Sequence, residues 1–145
     1  MTKGAPVVIL LVEDDAAHAE IVRRSLTEFN VANRLIHLED GQAGLDYLSA
    51  TSVEPSHDHP RPDLVLLDLR LPKIDGLELL HRIKTDEALK RIPTVVLTTS
   101  SAETDRVRAY EAGAGSFLVK PIDFLKFQKM MEAFGFYWLM WNEYP

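Results

Sequence analysis

The sequence predicts an α/β fold, doubly wound around a five-stranded parallel sheet. Short apolar runs such as Val7 to Val12 (VVILLV) and Leu64 to Leu67 (LVLL) are continuous instead of alternating, as in strands covered on both faces. They alternate with segments whose apolar residues recur at spacings of three and four, the mark of amphipathic helices. No internal repeat, low-complexity tract or long linker divides the 145 residues, a length that suits one domain. Strands alternating with helices call for a parallel sheet with right-handed crossovers.

Each element has its own signal. Val7 to Val12 is the first strand, and Ala16 to Phe29 the first helix, with Ile21, Val22, Leu26 and Phe29 on its apolar face and Asp15 as its cap. Arg34 to Leu38 alternates weakly and reads as the second strand. Gly41 to Ser49 reads as a short helix carrying Leu45 and Leu48 on one face. Thr51 to Pro62 (TSVEPSHDHPRP) is polar, holds three of the eight prolines and reads as an exposed loop. Leu64 to Leu67 is the third strand. Leu77, Leu80, Ile83 and Lys84 lie on a helix that should run to about Lys90. Thr94 to Leu97 is the fourth strand, opened by Pro93. Ala102 to Ala112 is a charged, weakly amphipathic helix stopped by Gly113. Ser116 to Val119 is the fifth strand, and Asp123 caps a long final helix.

Composition excludes several classes of function. The apolar share of 46% supports a core, and a net charge of −6 argues against a nucleic-acid or anionic-membrane surface as the main partner. The absence of cysteine excludes disulfides, thiol catalysis and thiolate zinc sites. The run Val7 to Val12 is too short for a signal peptide, and no stretch is long enough to span a bilayer. A cytoplasmic protein with neither nucleic acid nor membrane as partner is expected.

Chemistry gathers where the strands end. In an open parallel sheet the functional crevice lies outside the carboxyl ends of the strands. Glu13 and Asp14 follow the first strand, Asp68 ends the third, Thr98 the fourth and Lys120 the fifth. Three acids in one crevice repel each other unless a cation holds them. Oxygen-only ligands favour a hard ion such as Mg²⁺, which takes one or two carboxylates together with phosphate oxygens. Asp68 is then a candidate nucleophile toward a phosphoryl group, Lys120 a point charge and Thr98 a hydroxyl donor for its oxygens. The extra methylene of Glu13 leaves Asp14 as the more direct ligand.

The ordered set LLVEDD (Leu10 to Asp15), LLDLRLPKIDG (Leu66 to Gly76), VVLTTS (Val95 to Ser100) and FLVKP (Phe117 to Pro121) resembles the receiver domains of bacterial two-component response regulators. The spacings agree as well, thirty positions from Asp68 to Thr98 and twenty-two from Thr98 to Lys120. The resemblance implies a flavodoxin-like sheet of order 2-1-3-4-5. It implies Asp68 as phosphoacceptor, with Mg²⁺ held by Glu13, Asp14, Asp68 and the backbone carbonyl of Arg70. Thr98 and Lys120 would bind the phosphoryl group, Thr98 and Phe117 would form the switch, and the Lys120–Pro121 bond would be cis. The side chains of Arg70 and Ser100 would flank the route of attacking water. A receiver over residues 6–134 is expected, with 135–145 as an aromatic extension of the last helix.

The Glu-Asp pair, the LDLRLPKIDG form, IPTVVLTTS (Ile92 to Ser100), the polar loop and the aromatic tail resemble single-domain regulators paired with phytochrome histidine kinases. The partner is then a sensor histidine kinase, and the output a protein contact, since no output domain follows in the sequence. An intermediate in a multistep phosphorelay is the alternative. A haloacid-dehalogenase phosphatase needs a second Asp two positions after the nucleophile, where Arg70 stands, and a degenerate receiver would lack one of the site residues.

Other motifs have plainer readings. His57 and His59 belong to a polar loop, His18 has no adjacent nucleophile and is given no catalytic role, and Glu103 to Arg108 is a solvated face. The tail holds six of the twelve aromatic residues. On a continued helix Phe127, Met131, Phe134, Trp138 and Trp141 would pack on the sheet, leaving Met130, Phe136, Tyr137 and Met140 pointing elsewhere, with Gly135 bending or interrupting the helix. That surplus points to a homodimer built on the last helix, as phytochrome-associated regulators suggest. The competing reading folds the tail back over its own domain.

Overall fold

The computed structural model describes residues 6–28 and 32–144. Its elements are β1 (Val7–Val12), α1 (Ala16–Thr27), β2 (Asn33–Leu38), α2 (Gly41–Val53), β3 (Leu64–Leu67), α3 (Gly76–Thr85), β4 (Thr94–Thr98), α4 (Glu103–Glu111), β5 (Ser116–Val119) and α5 (Phe124–Gly135). A π-helical segment, Phe136–Trp141, continues from α5. The strands form one parallel sheet in the order β2-β1-β3-β4-β5. Phe29, expected on the first helix face, lies outside the described residues.

The apolar strand runs build two cores. Side chains alternate across each strand, so Ile9, Leu11, Leu64, Leu66, Val95 and Leu97 face a cluster completed by α1 and α5. Leu10, Val12, Val65, Leu67 and Val96 face the opposite cluster, with α2, α3 and α4. All residues of β1, β3 and β4 are buried. Each fully buried aliphatic side chain contributes about 2 kcal/mol, so the central strands are the firm part of the molecule.

Aspartates start four of the five α-helices. Asp15 accepts from the backbone N–H groups of Ala17 and His18 at 2.9 and 3.1 Å. Asp40, Asp75 and Asp123 accept likewise from Ala43, Leu77 and Lys126 at 2.7, 2.9 and 3.0 Å. α4 differs: Ala102 precedes it and supplies no side-chain cap.

Several expectations need correction. α2 runs on to Val53: Thr51 is buried on the helix, and the last turn is closed by the Glu54 N–H, which donates to the Ala50 carbonyl at 3.1 Å. α3 stops at Thr85, where the Asp86 side chain accepts from Ala88 N–H at 2.8 Å and starts a turn. Lys84 holds that turn by donating to the carbonyl of Ile92 at 2.7 Å. The Lys120–Pro121 bond is trans, as no cis bond occurs among the described residues. The trans isomer is the default even before proline, by about 0.5–1 kcal/mol. α4 ends as expected, with Gly113 at φ +104°.

The tail changes register. α5 gives way to π geometry after Gly135, and Asn142 N–H donates to the Tyr137 carbonyl five residues back at 2.8 Å. The wider turn rotates the stripe, so Leu139 is buried in place of Trp141, which is exposed. Phe127, Met131 and Phe134 are buried as expected, Trp138 is partly so, and Met130 also packs against the core. Tyr144 folds back and donates its hydroxyl to the Trp138 carbonyl at 2.6 Å.

Gly76 ties this scaffold to the crevice. A Cβ there would collide with the Asp68 carbonyl oxygen and lie 2.6 Å from Leu69 Cα. The first residue of α3 is therefore pressed directly on the loop that carries Asp68, and only hydrogen fits. Gly76→Ala should cost about 2 kcal/mol, the usual scale of overpacking, read as a lowered urea midpoint at unchanged m. An unaltered midpoint would show that the loop moves freely away from α3.

Candidate functional site

The five strand-end residues named from the sequence converge, and four of them are buried. β1 and β3 end side by side, and Asp68 N–H donates to the Val12 carbonyl at 3.1 Å. Asp68 thus follows the most buried strand pair, with Glu13 beside it and Asp14 at the rim. Glu13, Asp68, Thr98 and Lys120 are buried, while Asp14 is exposed. The carboxylate oxygens of Glu13, Asp14 and Asp68 approach within 4.8 Å of one another.

Lys120 holds this cluster together. It leaves β5 with its backbone N–H donated to the Thr98 carbonyl at 2.7 Å. Its ammonium then reaches inward and donates to Asp68 Oδ2 at 2.8 Å and to Glu13 Oε1. His18 Nδ1 lies 3.0 Å from the same nitrogen. An ammonium has three protons, and three acceptors surround it here. His18, given no role from sequence, therefore touches the site. Its ring also packs on Phe127, 5.5 Å between centroids. Nothing in the local sequence ties His18 to a lysine 102 residues away; the packing of α1 against α5 brings them together.

The remaining residues surround Asp68. Arg70 donates its backbone N–H to Asp68 Oδ1 at 3.2 Å, and its side chain reaches away to Asp105 on α4 at 2.9 Å. Thr98 is fully buried, its hydroxyl beside Asp68 and accepting from Ser100 N–H at 3.3 Å. Its neighbour Thr99 is exposed. Phe117 is partly buried against the core face shared by α2, α3 and α4. His57 and His59 join no metal-ligand cluster among the described residues. Instead Arg34 donates to the His57 carbonyl at 2.6 Å, and the His59 ring sits 5.7 Å from that of Tyr47. Asp105, expected on a solvated face, is buried.

The two inner acids differ in charge state. Burial raises the Glu13 carboxyl to about 7, against the pull of Lys120. Burial acts on Asp68 in the same direction, but the Lys120 ammonium, the Arg70 N–H and the Thr98 hydroxyl outweigh it and hold Asp68 below the ordinary aspartate value. Asp68 thus stays anionic, and Glu13 is the acid that takes up a proton first. Three carboxylates around one point, with only oxygen donors, fit a hard divalent cation.

A doubly wound sheet with an acid cluster, a buried Thr and a buried Lys at its carboxyl edge defines a signalling receiver. The chain matches the response regulator receiver domain over residues 9–132 and belongs to that family. It is 44% identical over 140 residues to the probable methanogenesis regulatory protein FilR2 of Methanothrix harundinacea, covering 97% of this chain and 88% of that one. It is 42% identical over 134 residues to the response regulator Rcp1 of Synechocystis sp., covering 92% and 90%. The crystal structure of the Mn²⁺-bound form of Rcp1 superposes with a TM-score of 0.89 over 97% of this chain and 99% of that one, at 40% identity. The crystal structure of the phosphorylated cyanobacterial phytochrome response regulator RcpA gives 0.89 over the same shares, at 34% identity. No helix among the described residues is long and apolar enough to cross a membrane.

The raised Glu13 carboxyl has a consequence for stability. Folded chains hold a proton on Glu13 that unfolded chains release, so this group makes the metal-free protein less stable as pH climbs from 4.5 to about 7. Thermal melts in chelator should show the Glu13 contribution as a difference between wild type and Glu13→Gln. The wild type should lose melting temperature relative to the variant across that window. Parallel profiles would show that Glu13 titrates as it does in water.

Proposed function

We propose that this receiver takes a phosphoryl group on Asp68 from a sensor histidine kinase, a phytochrome in the reading its relatives favour, and signals through a phosphorylation-dependent protein contact. The observation that carries the reading is Asp68 itself: anionic, buried at the end of β3, and held by Lys120 and the Arg70 N–H. Asp68 Oδ attacks phosphorus as the bond to the kinase histidine nitrogen breaks, and that nitrogen leaves with the electron pair. Lys120 neutralises phosphoryl oxygens and Thr98 donates its hydroxyl to one of them. Water later attacks the same phosphorus and returns the Asp68 carboxylate with inorganic phosphate, so the protein's own chemistry is limited to accepting and losing the group.

Glu13, Asp14, Asp68 and the Arg70 carbonyl are the residues that would hold Mg²⁺. When bound, it supplies charge neutralisation and in-line orientation of the phosphoryl group. Residues 6–134 act as the receiver and 135–145 as its extension. In the switch, Thr98 moves toward the phosphoryl group and Phe117 turns into the space left beneath, a shift between two packings. Acceptance from a histidine kinase places the protein in the cytoplasm.

The homodimer belongs to the same reading. Phe136, Tyr137, Met140 and Trp141 stay exposed although the tail folds back at Tyr144. Beside them β5 is a sheet edge, and a groove of about 290 Å³ opens among Leu118, Met130, Ala133, Tyr137 and Trp138. Apolar surface of this kind favours a two-fold contact through the last helix.

Two measurements test this function. Acetyl phosphate with a divalent cation should add one phosphoryl group by mass, and Asp68→Asn should lower the rate at least about a hundredfold, as loss of a nucleophile does. Normal acceptance by Asp68→Asn would place the site elsewhere. Sedimentation of the full chain should give a dimer at micromolar concentration, and Tyr137→Lys with Trp141→Lys should give a monomer. A wild-type monomer with and without phosphate would rule out the dimer.

A further inference from the structure

A closed ring of polar contacts, two of them from the backbone N–H groups of Ser100 and Arg70, runs from Asp68 out to α4 and back. Thr98 lies beside Asp68, and its hydroxyl accepts from Ser100 N–H at 3.3 Å. Ser100 Oγ donates to Asp105 Oδ2 at 2.5 Å. The same Asp105 oxygen accepts from Arg70 Nη2 at 2.9 Å, and Arg70 N–H returns to Asp68 Oδ1 at 3.2 Å. Ser100 and Arg70, the two side chains expected to flank attacking water, are thus held by one carboxylate oxygen.

That carboxylate also fastens α4. The helix has only two buried residues, Asp105 and Ala109, and no side-chain cap. One apolar methyl and one buried acid are thin anchorage for nine residues. The acid is tolerable there because a guanidinium and a hydroxyl meet it. The Asp105 side chain is 10% exposed, whereas Arg70 is 64% exposed and can swing.

We propose that Asp105 is a positioning residue for the phosphoryl chemistry, holding Arg70 off the site until a phosphoryl group on Asp68 competes for it. This rests on the reading of Asp68 as phosphoacceptor. A phosphoryl dianion offers the guanidinium two or three oxygens and more charge than the single carboxylate oxygen it now uses. Arg70 leaves Asp105 and lies over the phosphoryl oxygens, where it covers the approach of water. Asp105 is left with Ser100 alone, and an acid that has lost its cation must gain water. The first turns of α4 then lift from the domain. Arg70 thus lengthens the life of the phosphoryl group and loosens α4 in one exchange of partners.

The experiment uses the full chain, phosphorylated with acetyl phosphate and Mg²⁺, in four forms: wild type, Asp105→Asn, Arg70→Gln and the double variant. Mass spectrometry with Asp68→Asn as control first establishes the phosphoryl site, and its failure would bring down the underlying reading and this inference together. With the site established, Asp105→Asn should lengthen the phosphoryl lifetime roughly threefold, the scale of a partly exposed ion pair. In the Arg70→Gln background the same change should leave the lifetime unaltered. Equal fold-changes in the two backgrounds would overturn the proposal while the phosphorylation reading stands. Hydrogen exchange supplies an arm that needs no change at the buried Asp105. Phosphorylation should speed exchange in the first turns of α4 several-fold in wild type and not in Arg70→Gln. An equal rise in Arg70→Gln would overturn the proposal as well.

Discussion

The Lys120 ammonium, buried between Glu13 and Asp68, is the interaction on which the rest of the site depends. Two buried carboxylates so close would not both ionise in a dry crevice, and a third stands at the rim. Lys120 resolves the conflict unequally: Asp68 is held anionic, while Glu13 is raised to about 7. The ammonium is itself buried and is tolerated only because three acceptors surround it. An incoming cation or phosphoryl group therefore enters a set of charges already in place, and its work is to redistribute them. A site assembled this way loses little to reorganisation when a charged group arrives.

Such an arrangement needs strand ends that do not drift. Right-handed crossovers bring the carboxyl ends of β1, β3, β4 and β5 to one edge, and the two core clusters hold β1 and β3 on both faces. Aspartate caps start α1 and α3 immediately beyond the acid pair and the Asp68 loop. Gly76 lets α3 press on the Asp68 carbonyl. The residues with reactive side chains are short excursions from rigid backbone, which is why four of them can be buried and still meet.

Sheet, helix order and strand-end residues were legible because they are encoded locally: apolar runs mark the strands, and the polar residue closing each run marks the edge. Glu13, Asp14, Asp68, Thr98 and Lys120 each follow directly from a run's end. What escaped sequence reasoning depends on packing between distant segments. Asp105 sits in a charged helix and looks solvated, but Arg70, thirty-five positions earlier, comes to meet it. His18 reaches Lys120 through the packing of α1 against α5. The π geometry after Gly135 exchanges Leu139 for Trp141 in the core, a rotation that no apolar periodicity announces. The reach of α2 into the polar stretch follows from the burial of Thr51, where composition alone suggested a loop.

The molecule is unevenly fastened, and the unevenness has a direction. On one flank α1, capped by Asp15, buries five of its residues. On the other, α4 buries two and has no cap, β5 is an edge strand with no fully buried residue (as is β2 at the opposite edge), and the tail beyond α5 exposes several aromatic side chains. A charge change at Asp68 is felt by all the loops around it, but displacement goes where the restoring contacts are weakest. The hydrogen-bonded route from Asp68 through Thr98 and Ser100, and through Arg70, runs to Asp105 on that weak flank. The surface available for a partner and the elements free to move are thus the same, so a local event at Asp68 can alter α4, β5 and the tail while the central strands stay as they are.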